Sequence, residues 1–82
     1  MNYISELEFV YSYKLNAFKA LKSWLQIGAV SLENIDKNEV MHEAFNSLSN
    51  VQESPYVFEA AADCVIALLI RLEDQDKSPS LR

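Results

Sequence analysis

The stretch from Ser54 to Asp74, SPYVFEAAADCVIALLIRLED, constrains this chain more than any other. Between Val57 and Leu72 only Glu59, Asp63 and Arg71 are charged, and Cys64 to Leu69 carry no strong polar group. Ser54 suits a helix N-cap and Pro55 the first helical position, so a helix over 55–74 is predicted. A helix this apolar must be covered on nearly every side. What covers it is the question on which function turns.

The rest of the chain offers little besides more helix. Its 82 residues suit one small helical unit, over 1–82, with a modest core. One Gly and two Pro disfavour a turn-rich β fold. Ser5 and Glu8 have capping-box spacing, which predicts a first helix over about 6–27. Its apolar stripe holds Val10, Tyr13, Ala17, Ala20, Leu21 and Trp24, widened by Phe18 and Leu25, with Lys14, Lys19 and Lys22 on the wet side. Gly28, the only glycine, sits where a left-handed residue would end the helix. From Ala29 to Ile35 a short strand fits the alternation, but an irregular connector plugging helix ends with Val30, Leu32 and Ile35 is preferred, since no second strand exists to pair with it.

Asp36 with Glu39 resembles another capping box, so a second helix is expected over about 37–51. Val40, Met41, Ala44, Phe45, Leu48 and Val51 form its apolar face. Short links then fold successive helices back as antiparallel hairpins, and 77–82 reads as a disordered tail. The predicted class is all-α with three main helices. The packing residues expected to hold it are Phe18, Leu21, Trp24, Leu25, Gly28, Phe45, Leu48, Ala61, Cys64, Val65 and Leu68.

Charge and motifs narrow the function classes. A formal net charge of -5 disfavours a general nucleic-acid or anionic-membrane binder and suits basic partners. No stretch reaches the ~20 apolar residues of a bilayer span, and the acidic MNYISELEF lacks the positive leader of a secretory signal. Cys64, alone, has no intramolecular disulfide partner and reads as a packing residue in a reducing compartment. His42 has no second His or Cys in ligand spacing and is expected at the surface. Phosphate loop, paired metal histidines and nucleophile elbow are all missing, and the carboxylates at Glu6 and Glu8 and at Glu73, Asp74 and Asp76 lie at helix ends. No enzyme, cofactor or metal site is therefore expected. Tyr11, Tyr13, Phe18 and Trp24 fit a core stripe better than a stacking platform. Asp63 is either the solvent edge of its helix or a partly buried acceptor.

Two motifs carry a family resemblance. The run Val57 to Leu68, with its small residues, resembles a helix of HEAT repeats. Phe18-x-x-Leu21-x-Ser23-Trp24-Leu25-x-Ile27-Gly28, followed by Glu59-Ala60-Ala61-Ala62-Asp63-Cys64-Val65, is similar to the transportin-3 and importin-13 branch of the importin-beta (karyopherin) nuclear transport receptors. The resemblance spans roughly Leu15 to Leu72. It implies an armadillo-type α-solenoid, of which this chain holds about one and a half repeats: two helices forming one repeat and the third opening the next. It further implies, for a whole receptor, cytoplasmic and nuclear location and binding of Ran-GTP, basic or arginine/serine-rich cargo proteins and nucleoporins, without nucleic acid or membrane. No residue here carries over as a Ran or cargo contact. The alternative is a small helical interaction module that dimerises or docks on a partner through its third helix. Either way the third helix needs flanking helical repeats or self-association to cover it.

Overall fold

The computed structural model describes the backbone of residues 3–77 and the side chains of residues 12–75. Three α-helices and one short 3-10 helix account for it: α1 (Tyr3–Gln26), a 3-10 segment (Leu32–Lys37), α2 (Glu39–Ser49) and α3 (Pro55–Lys77). The all-α class is as predicted, and no strand occurs among the described residues.

Local chemistry sets each boundary. The first helix starts at Tyr3, so Ser5 lies within it and does not cap it; the side chains of Ser5, Glu6 and Glu8, like those of Val10 and Tyr11, fall outside the described residues. Its end is a Schellman turn. Ala29 N–H donates to Trp24 O at 2.8 Å and Gly28 N–H to Leu25 O at 3.3 Å, with Gly28 at φ +78°. Glycine is required at this point because a Cβ is strained at positive φ and would stand 2.9 Å from Arg71 Nη1.

The connector is more regular than expected. Ser31 Oγ accepts from Glu33 N–H at 3.3 Å and starts the 3-10 turn. Val30, Leu32 and Ile35 are half-buried against the core, so they plug the helix ends as their apolar character predicts. Asn38, not Asp36, then caps α2: its Oδ1 accepts from Met41 N–H at 2.9 Å while its own N–H closes on Ile35 O at 3.1 Å. A 3-10 turn consumes Asp36 and Lys37, which is why the Asp36–Glu39 spacing misplaces the start by two residues. Asn50 ends α2, and Val51 lies beyond it, 97% exposed instead of on the apolar face. The third helix opens as predicted, with Ser54 Oγ accepting from Tyr56 N–H at 3.2 Å and Pro55 in first position. It continues past Asp74 to Lys77, taking in the acidic run; 78–82, the expected tail, lie outside the described residues.

The direction of the helices follows from pairs of touching residues. Phe18 meets Cys64 and Leu25 meets Arg71, both 46 positions apart, so α1 and α3 run parallel. Tyr13 and Ala17 share a groove with Glu43, Val40 and Glu39, whereas Lys14 and Ser47 share a carboxylate, so α2 runs antiparallel to α1. The helices thus run up, down, up as two consecutive hairpins, with α1 and α3 packed directly on each other and α2 alongside. The core between the helices is Phe18, Leu21 and Leu25 from α1, Met41 and Ala44 from α2, and Val57, Ala61, Cys64, Ala67 and Leu68 from α3. Ala61, Cys64 and Ala67 are small, which lets α3 approach its neighbours closely.

Candidate docking surface

Because α3 presents its small residues inward, its large ones are left outside. Phe58, Ile66, Leu69, Ile70 and Leu72 are 45, 53, 58, 53 and 38% exposed, so the helix is covered on one side only. The remaining apolar surface of this helix is left uncovered by the chain itself. The outer residues have an order of their own: Phe58, Ala62, Val65, Leu69 and Leu72 recur at steps of four, three, four and three. That is the heptad spacing of a seam that receives another helix. Ala62 and Val65 are half-buried, Val65 against the core of this chain, and Ile66 and Ile70 extend the exposed apolar surface on the far side. The inner face, with Val57, Ala61, Cys64 and Leu68, has the same steps of four, three and four. One helix therefore carries two apolar faces, and this chain fills one.

The first helix repeats the pattern more weakly. Tyr13, Ala17, Ala20, Trp24 and Ile27 also step by four, three, four and three, with Tyr13, Trp24 and Ile27 exposed. Trp24, expected in the packing, is 52% exposed, and Phe45 on α2 is 47% exposed. Both are corrected for one reason. Each helix has an apolar arc wider than its partner can cover, and the core takes the residues nearest the neighbouring axis: Phe18, Leu21 and Leu25 on α1, Met41 and Ala44 on α2. Of the other expected packing residues, Ala61, Cys64 and Leu68 are buried, Leu48 and Val65 are half-buried, and Gly28 is exposed at its turn.

Polar contacts hold the seam in place. Glu53, just before α3, accepts from Lys14 Nζ at 3.0 Å and from Ser47 Oγ at 3.0 Å through one oxygen, and from Ser54 N–H at 3.1 Å through the other. One carboxylate thus ties α1, α2 and the start of α3. Burial pushes its pKa up, but the hydrogen bonds from Lys14, Ser47 and the Ser54 amide, with the Lys14 charge, outweigh that and hold it below the ordinary 4.5. At the other end Arg71 Nη1 donates to Leu25 O at 3.3 Å, giving the C-terminus of α1 a cation and a donor from α3. This cross-helix cap has no local sequence signal: Arg71 and Leu25 are far apart in the chain.

Midway, the Cys64 thiol donates to Phe18 O at 2.9 Å. Burial pushes it up to about 11, so it is a packed, un-ionised thiol and not a nucleophile at neutral pH. Asp63 lies at the solvent edge, 3.7 Å from Lys22 Nζ, which resolves its two readings in favour of the edge. His42 is exposed and meets the Asp36 carbonyl through Nε2. Among the described residues no three His, Cys, Asp or Glu side chains gather to hold a metal ion, and no helix is long and apolar enough to cross a membrane. A shallow groove of about 560 Å³ lies between α1 and α3, floored by Leu15, Phe18 and Ala60. Its rims, Lys19 and Lys22 against Glu59 and Asp63, offset each other in charge, so it selects no ligand of one sign.

No protein-family model, curated protein or solved structure matches this chain.

Proposed function

We propose that this chain is a non-catalytic helical docking module whose outer α3 face receives an α-helix of a protein partner. The observation that carries the reading is the second heptad-spaced apolar row, Phe58, Ala62, Val65, Leu69 and Leu72, which adjoins the packed face of α3 and leaves Phe58, Leu69 and Leu72 exposed. Isolated exposed apolar side chains are ordinary on a protein surface; a contiguous, helically ordered row is what a helix-in-groove contact uses. The anchors at Glu53 and Arg71 fix both ends of α3, so the seam is rigid before a partner arrives and little ordering entropy opposes binding.

The test is a benzophenone photo-crosslinker placed at Leu69 or Ile66 in the chain expressed in its own cells, with Glu43 on α2 as control position. Discrete protein adducts from the two α3 positions and none from Glu43 are expected. Absence of any adduct at Leu69 and Ile66 would refute the docking role.

A narrower form of this reading places the chain in a nuclear import receptor of the transportin-3 and importin-13 type, as a scaffold for Ran-dependent cargo import with flanking helical repeats seated on α3. What supports it is the parallel run of α1 and α3, packed directly on each other with α2 returning antiparallel alongside both, as helices of successive repeats stack, together with the net charge of -5 toward basic cargo. In-frame coding sequence for further helical repeats on either side would support this form, and stop signals closely bounding the chain would refute it.

A further inference from the structure

We draw no further inference here: the strongest candidate, the exposed apolar face of α3 formed by Phe58, Ile66, Leu69 and Ile70, carries nothing beyond the docking reading, because nothing in the structure shows what covers it.

Discussion

Replacing Glu53 by alanine tests whether one carboxylate joins the three helices. The change removes an acceptor that holds Lys14, Ser47 and the Ser54 amide. Glu53 and Lys14 side chains are 11 and 29% exposed, so their pair is shielded more than a surface pair, and Ser47 is 2% exposed. A hydrogen bond to a charged acceptor contributes roughly 1.5 kcal/mol net, an orphaned buried hydroxyl costs about 1 to 2, and the Ser54 contact, near solvent, adds less. Overlap among these terms leaves a loss of about 2 to 3 kcal/mol, or a drop in Tm of about 10 °C or more for a domain of this size. Urea unfolding followed at 222 nm measures it, with Ser47→Ala as the companion. The alanine at position 47 removes the hydroxyl that would be orphaned, so the double variant should be about 1 kcal/mol more stable than the sum of the singles predicts.

The same carboxylate makes stability depend on pH. Its folded pKa lies below the ordinary 4.5, so between the two values the unfolded chain binds more protons than the folded one and stability rises with pH. The contribution is fully present above pH ~4.5 and is lost as pH falls through the depressed folded value. The stability gap between wild type and Glu53→Gln should accordingly close on acidification below about pH 4.5. A loss under 0.5 kcal/mol for Glu53→Ala near neutral pH, or a gap that widens in acid, would show that the helices are held by apolar packing alone.

Three further substitutions probe the frame around the seam. Gly28→Ala should cost about 1 to 2 kcal/mol in thermal or urea unfolding, from the strain of a Cβ at positive φ and displacement of the Arg71 tip from Leu25 O. Phe18→Ala, at a site 1% exposed, should lose about 3 to 5 kcal/mol and in a unit this small leave little folded protein, whereas Trp24→Ala, half exposed, should lose about 1 or less by the same measurement. Cys64 should resist a thiol reagent at neutral pH in the native chain and react fully in denaturant; rapid labelling of the folded chain would contradict its burial and its bond to Phe18 O.

The helices were legible because their signals are local: Ser54 and Pro55 open α3 and Gly28 closes α1, each through atoms within a few residues. The start of α2 was misplaced because two capping signals compete within three residues. Asn38 wins once the 3-10 turn has used Asp36, and that turn depends on Val30, Leu32 and Ile35 finding the core. Contacts between distant residues left no trace: neither Glu53 with Lys14 and Ser47 nor Arg71 with Leu25 could be read from spacing. How the apolar residues of α3 divide between covered and uncovered sides was not legible either. A window of the sequence registers how apolar a helix is, but not how many neighbours share it. Two interleaved rows, one of Val57, Ala61, Cys64 and Leu68 and the other of Phe58, Ala62, Val65, Leu69 and Leu72, sum to a helix that looks buried all round. The first row packs into the core of this chain, whereas of the second only Val65 leans on that core and Phe58, Leu69 and Leu72 are left exposed.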